Sequence, residues 1–275
     1  MKYCDLHNHS VYSDGSYTPY ELVKYAKEKG ISAIALTDHN TADGMEEFIK
    51  SAIELGIEYV VGSELTTDYN GKEVHLLSLF ITPENIHRVR LFTDEQLYNK
   101  KESNIDLAKN LQKGDYDISL EELHSRFGEN INRAHFARVL VDKGYAETTD
   151  VAFETFLKSG NGFYNPPKRI NLFDAIELVK SWGCLPVIAH PLLSVTKEEL
   201  EEILPKAKEK GLVGMEVYYP KFDNEVRNYL HVLCQKYDLV ASGGSDFHGK
   251  MKSQGDLNDG EAPYSCYENL LKKIK

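Results

Sequence analysis

The chain has 275 residues, 41% of them apolar, enough for one large α/β domain or two smaller ones with a buried core. Its 32 basic against 43 acidic residues give a formal charge of −11, which argues against binding along a long nucleic-acid duplex but leaves room for a small anionic substrate where positive charge is supplied locally. No apolar run reaches the length of a membrane span and no basic-then-apolar leader is visible, so a cytoplasmic location and no membrane partner are expected.

In chain order, "YCDLH" reads as a first strand. "TPYELVKYAKEKG" follows as a helix, with Thr18 as cap, Pro19 in the first turn, Glu21 completing a capping box and Gly30 ending it. "SAIALTDH" is a second strand, and "ADGMEEFIKSAIELG" a second helix closed by Gly56. "EYVVGSEL" and "EVHLLSLF" are the next two strands; "CLPVIAHP", "LVGMEVYY" and "LVASGGSDFH" are the last three, with helices at "LFDAIELVKSWG" and "TKEELEEILPKAKEKG". Alternating elements imply a parallel sheet, and seven strands favour an α/β barrel over an open sheet, although spacing alone does not exclude the latter.

Between the fourth and fifth strands lie roughly 100 residues, where a crossover needs about 20–30. Their middle reads as short helices at "DEQLYNKKESNIDLAKNLQ", "SLEELHSRFG", "RAHFARVLVDKG" and "DVAFETFLKSG". Residues 95–165 are therefore expected to form an inserted helical cap, with residues 1–94 and 166–275 forming the barrel.

Histidines and carboxylates gather at the strand ends. His7 and His9 are two apart, on one face of a strand. Asp14 lies in the loop that follows, His39 ends the second strand, Glu64 the third, and His75 sits within the fourth. His190 ends "LPVIAH", and Asp246 and His248 close "GGSDFH"; only "MEVYY" offers no donor in this reading. In a parallel barrel such ends meet at one mouth. The four cysteines (Cys4, Cys184, Cys234, Cys266) form no CxxC pair and read as reduced, buried thiols, so the donors are nitrogen and oxygen, suited to Zn²⁺, Mn²⁺ or Fe²⁺. Six histidines and three carboxylates exceed what one ion takes, which implies two or three divalent metals, a locally positive site that attracts and polarises a phosphate ester. Asp5 and Asp38 read either as groups that orient ligand imidazoles or as strand-end supports, and His87, His124 and His231 as surface or packing residues.

The segments "HNH", "TDH", "GSE", "AHP" and "GSDFH", in this order over nearly the whole chain, resemble the polymerase and histidinol phosphatase (PHP) family of metal-dependent phosphoesterases. The resemblance implies a distorted (β/α)7 barrel with up to three metals (Mn, Fe or Zn). Carried over, His7, His9, Glu64 and Asp246 hold one ion; Glu64 bridges to a second, also bound by His75 and His190; Asp14, His39 and His248 hold the third. The implied reaction is hydrolysis of a phosphomonoester by a metal-bridging hydroxide, with Asp246 in the catalytic set and either His190 or His248 as proton donor.

"NRAHFARVLVDKG" puts Arg133 and His135 in the first turn of a helix and Arg138 a turn later, where free N–H groups and guanidinium forks suit an anion; Lys168 and Arg169 follow a proline pair. An ordinary solvated basic face is the plain alternative. Together with "AFETFLKSGNGFYNPP", this segment is similar to the cap of a PHP branch that removes the 3′-phosphate from nucleoside 3′,5′-bisphosphates, some members of which trim short RNA from the 5′ end. The expected substrate is accordingly a small phosphorylated nucleotide, with short RNA as a second partner and no long duplex. Phe163 and Tyr164 could stack on a base or pack under the cap. A histidinol-phosphate or other small-molecule phosphatase is the alternative within the class; a non-catalytic metal-binding structural or regulatory module is the alternative outside it.

Overall fold

A computed structural model describes residues 2–128, 131–249 and 255–274 of the protein. It divides into two compact units, residues 1–94 with 169–275, and residues 95–168. The second unit thus extends three residues past the expected 165, so Lys168 falls in it and Arg169 in the first.

Among the described residues the first unit contains eight strands: β1 (Cys4–Asp5), β2 (Ala33–Leu36), β3 (Glu58–Tyr69), β4 (Lys72–Leu79), β5 (Ile170–Asn171), β6 (Leu185–Ile188), β7 (Gly214–Tyr218) and β8 (Val240–Gly243). Seven form the path β1-β2-β3-β4-β6-β7-β8, and the short β5 pairs with β3. The sheet nearly closes on itself: Leu6 N–H donates to the carbonyl of Gly243 at 3.1 Å, and His9 N–H to that of Phe247 at 2.9 Å. This is an α/β fold with a distorted seven-stranded barrel.

The expectation of a wholly parallel sheet is corrected at β4, which runs antiparallel to both β3 and β6. The cause is local. Asn70 and Gly71 join β3 to β4 with φ of 52° and 81°, the two left-handed residues of a tight hairpin turn. A hairpin necessarily returns its second strand antiparallel.

Helices α1 (Pro19–Glu28) and α2 (Met45–Leu55) follow β1 and β2, and α3 (Ile86–Lys113) contains the boundary between the units. Then α4 (Leu120–Phe127), α5 (Arg133–Asp142) and α6 (Thr149–Ala152) belong to the second unit, and α7 (Leu172–Ser181), α8 (Lys197–Lys210), α9 (Asn224–Lys236) and α10 (Ser265–Leu271) to the first. The capping box of Thr18 with Glu21 is formed, and Gly56 takes the left-handed conformation that ends α2. Among the described residues no helix is long and apolar enough to cross a membrane.

Strand alternation creates two apolar layers in the first unit. Leu6, Ala35, Val60, Leu77 and Val187 point into the barrel, where Cys266, Tyr267 and Leu270 of α10 join them. Their neighbours Ile34, Leu36, Val61, Leu76 and Ile188 face outward and pack with helix residues such as Leu22, Phe48 and Ile176. All four cysteines are buried and free. The second unit has its own core, built on Leu107, Leu111, Phe136, Leu140 and Phe156, and Tyr164 is buried in it.

Candidate metal centre

The same alternation aims the donors inward. Glu64 is in phase with Val60, on the inner face of β3, while Val61 and Leu65 pack outward. Because β4 is reversed, its early residue His75 pairs with Thr66 of β3 and so arrives beside Glu64. In β7, Met215 and Val217 face outward, which turns Glu216 to the interior. His39 continues β2 and makes an isolated bridge with Glu64.

Two donors rest on left-handed backbone, His190 with φ of 26° and Asp246 with φ of 53°. Such conformations cost about 1–3 kcal/mol each in non-glycine residues and persist where surroundings impose them. At His190 the imposing group is Glu216, whose Oε2 accepts the His190 N–H at 2.6 Å. Next to Asp246, Gly244 leaves no space for a side chain, since a Cβ there would stand 2.5 Å from both N and Cβ of His7.

Glu64 is the hub. Its Oε1 lies 2.7 Å from Nδ1 of His75 and 3.1 Å from Nε2 of His190. Its Oε2 lies 3.3 Å from Nε2 of both His7 and His9 and 3.0 Å from Nδ1 of His39. Asp246 Oδ1 completes one set, 3.6 Å from Nε2 of His7 and 3.1 Å from that of His9. A further set surrounds Asp14, whose Oδ1 is 3.0 Å from Nε2 of His248 and 3.8 Å from Nε2 of His39. The structure therefore brings together all nine residues expected to ligate metal.

In the first set, Nε2 of His7, Nε2 of His9, Oε2 of Glu64 and Oδ1 of Asp246 are buried, and none makes a directed hydrogen bond. Buried polar atoms of this kind call for a partner. Each nitrogen is 3.1–3.6 Å from each oxygen. A tetrahedral ion with bonds of about 2.1 Å would set its ligand atoms about 3.4 Å apart. These residues fit a divalent metal ion, and the absence of thiolate favours a borderline or oxygen-tolerant one.

Electrostatics within the cluster are reciprocal. Burial by itself raises the Glu64 and Asp246 carboxyls, yet the imidazoles around them hold both far below the ordinary carboxylate range. Burial likewise opposes charge on His9 and His75, but Glu64, with Asp246 for the one and Glu73 for the other, lifts them to about 9 and about 10. His39 goes the other way, to about 4, because desolvation and the His9 charge outweigh its carboxylates.

Several supporting residues carry no strand-end signature. Glu216 was not anticipated: Oε1 faces Nδ1 of His7 at 3.1 Å while His7 Nε2 points to Glu64 and Asp246. One imidazole cannot offer both nitrogens to one ion, so Glu216 is placed to orient His7 and not to join its set. Its signal was its inward phase in "MEVYY". Tyr219, wholly buried, donates to Oδ2 of Asp246 at 3.1 Å. Asp5 accepts from Ser245 N–H (2.9 Å), Ser245 Oγ (2.6 Å) and Asn258 N–H (2.9 Å), pinning the segment that carries Asp246. Asp38 accepts from Ser10 N–H (2.7 Å), Ser10 Oγ (2.6 Å) and Ser13 Oγ (2.5 Å), shaping the loop to Asp14. These bonds make both residues supports of the strand ends, and through Ser13 Oγ, 3.5 Å from Nδ1 of His9, Asp38 also reaches a ligand imidazole.

The expected substrate-binding residues are distributed between the units. Arg133 opens α5, its guanidinium 4.8 Å above the ring of Tyr164. His135 forms a capping box with Asn132 and stacks on Phe127 at 4.6 Å. Arg138 is exposed and pairs with Asp142 at 3.1 Å, and Lys168 is exposed. Phe163 packs against Tyr116 and Phe156, so both aromatics have packing roles. Arg169, in the first unit, is ion-paired with Glu73. His231, one of the three histidines read as surface or packing residues, lies 3.0 Å from the Tyr218 hydroxyl.

A nearly closed barrel with histidine and carboxylate donors converging at one mouth defines a candidate multinuclear metal centre. The chain belongs to the PHP family, whose domain model matches residues 5–164. It is 30% identical over 245 residues to a 5′-3′ exoribonuclease of Haemophilus influenzae, covering 89% of each chain. It is 28% identical over 265 residues to a 3′,5′-nucleoside bisphosphate phosphatase of Chromobacterium violaceum, covering 95% of this chain and 92% of that one. A solved Bifidobacterium adolescentis structure described as a metal-dependent phosphoesterase superposes with a TM-score of 0.82 at 27% identity, over 99% of this chain and 96% of that one.

Proposed function

We propose that the protein hydrolyses the 3′-phosphate of nucleoside 3′,5′-bisphosphates, using two or three divalent ions held by His7, His9, Asp14, His39, Glu64, His75, His190, Asp246 and His248. The observation that carries the reading is the two-sided presentation of Glu64, with His75 and His190 at one oxygen and His7, His9 and His39 at the other. So placed, Glu64 would serve two neighbouring cations, one with His75 and His190 and one with His7 and His9. When bound, such ions supply Lewis acidity toward the phosphoryl oxygens and activate water for attack. Mn²⁺, Fe²⁺ and Zn²⁺ all suit the donor set.

The chain's own residues do the rest. His248 has both nitrogens engaged, Nδ1 on the Asp246 carbonyl at 2.7 Å and Nε2 facing Asp14 at 3.0 Å. His190 uses Nε2 toward Glu64 and leaves Nδ1 without a hydrogen bond. Both residues sit in the donor cluster, and we assign protonation of the leaving alkoxide to this pair, His190 or His248. Arg133, at a helix N-terminus, and the Lys168–Arg169 pair are assigned to the substrate's phosphates. The naming of the C. violaceum relative supports a bisphosphate substrate. That of the H. influenzae relative supports a second reading, 5′-to-3′ trimming of short RNA by the same centre.

The test is phosphate release from adenosine 3′,5′-bisphosphate by Mn²⁺-loaded protein, with the nucleotide product identified. AMP with stoichiometric phosphate is expected. No release from protein shown by elemental analysis to hold its metals would overturn the nucleotide assignment, and turnover of a short 5′-phosphorylated RNA instead would favour the exonuclease reading.

A further inference from the structure

One carboxylate beside the donor cluster does two things at once. Glu73 and His75 lie two apart on β4 and so share a face. Oε1 of Glu73 is 3.1 Å from Nε2 of His75, whose Nδ1 is 2.7 Å from Glu64. Oε2 of Glu73 pairs with Nη2 of Arg169. The sheet explains the meeting: His75 and Glu73 pair with Thr66 and Asp68 of β3, and β5, which begins one residue after Arg169, pairs with Thr67 and Asp68 on the other side. Three adjacent strands thus line up Arg169, Glu73, His75 and Glu64.

We infer that Glu73 is a positioning residue that couples the site's phosphate-binding cation to its metal set. By accepting from Nε2 of His75, Glu73 fixes the tautomer that leaves the Nδ1 lone pair directed at the ion shared with Glu64. By holding one arm of Arg169, it fixes the guanidinium while leaving the remaining N–H groups to meet a phosphate. Arg169 is mostly buried and Glu73 is one-third exposed, so the pair is held from the Arg169 side and open to solvent from the other. The metal half of this inference needs only the donor cluster; the phosphate half rests on the function proposed above.

The experiment uses Glu73→Ala, Glu73→Gln and Arg169→Ala in the full chain, with two readouts independent of turnover: Mn²⁺ stoichiometry and affinity by elemental analysis and titration, and orthophosphate affinity of the metal-loaded protein. Glu73→Ala is expected to weaken one Mn²⁺ site about 10–100-fold. Glu73→Gln keeps an acceptor for His75 and is expected to restore that affinity to within a few-fold, while orthophosphate affinity changes because Arg169 has lost its charged partner. Arg169→Ala is expected to lose orthophosphate affinity with Mn²⁺ affinity intact. Wild-type Mn²⁺ binding in Glu73→Ala overturns the positioning role. Equal Mn²⁺ losses in all three variants overturn it in favour of a purely structural ion pair. Unchanged orthophosphate affinity in Arg169→Ala, alongside the expected Mn²⁺ results, overturns the coupling to phosphate and leaves the His75 role standing. Failure to turn over nucleotides would leave the Mn²⁺ results standing and bear only on the phosphate half.

Discussion

Oε1 of Glu216 stands 3.1 Å from Nδ1 of His7, both side chains wholly buried, while Oε2 of the same carboxylate receives the backbone N–H of His190. One residue thus orients an imidazole and secures the left-handed turn that delivers another. In Glu216→Ala two buried donors lose their acceptor, at about 1–3 kcal/mol each. Metal affinity is expected to fall about 10–100-fold. Glu216→Gln retains a single acceptor oxygen and should fall between the two. Denaturant titration and Mn²⁺ binding check this; a Glu216→Ala protein with native stability and metal content would show that the contact carries nothing.

Gly244 tests the same shell sterically. Any side chain at this position meets N and Cβ of His7, and the nearby Oδ1 of Asp5 stands at 3.0 Å. The two His7 atoms cannot swing aside, and Oδ1 of Asp5 is held by the Ser245 N–H at 2.9 Å. Gly244→Ala is expected to displace His7 and lower metal content and activity together, with a stability cost of about 1–3 kcal/mol typical of overpacking. The measurement is metal content beside a melting curve. Full occupancy at wild-type stability would contradict the close approach.

How much of this was legible beforehand differs by element. The donors at β1, β2, β3, β6 and after β8 announce themselves because His, Asp and Glu are rare at buried strand ends without a task. The helix caps at Thr18 and Gly56 are local, and local rules found them. The reversal of β4 was also local, since Asn70–Gly71 between two apolar runs is a hairpin signal; it was masked by the regular alternation of strands and helices elsewhere. Glu216 and Glu73 were missed for another reason. Each is a single carboxylate in an otherwise ordinary strand, and only the pairing across neighbouring strands shows which imidazole it meets. Similarly, Arg138 looks like a phosphate ligand in sequence, but a carboxylate four residues later on the same helix already pairs with it.

Metal removal should be felt as lost stability. The folded centre concentrates Asp14, Glu64 and Asp246 among six imidazoles, and the ions bind the native arrangement alone. At free metal 100 times the dissociation constant, one site contributes about 2.7 kcal/mol. For a chain of this size that corresponds to a melting shift of about 5–10 °C. Exhaustive chelation is expected to lower the melting temperature by at least this much, and Mn²⁺ back-titration to restore it. An unchanged melting temperature after verified metal removal would mean that the donor cluster is stable unaided.

The second unit offers a paired comparison between two arginines five residues apart. Arg133 occupies the first position of α5 over the face of buried Tyr164, where the positive end of the helix dipole would also favour a phosphate. Arg138 is exposed and tied to Asp142, an ion pair of a kind worth little. Arg133→Ala is expected to raise KM for adenosine 3′,5′-bisphosphate about 10–100-fold, as befits loss of a hydrogen bond to a charged group, with a smaller change in kcat. Arg133→Lys should recover only part, because an ammonium keeps the charge and loses the fork. Arg138→Ala should change KM less than about three-fold. Steady-state kinetics on the three variants, with circular dichroism to confirm that α5 persists, decides between the positions. An equal rise of KM in Arg133→Ala and Arg138→Ala would point to a diffuse electrostatic effect of the basic face, and a rise in Arg138→Ala alone would transfer the phosphate contact to that residue.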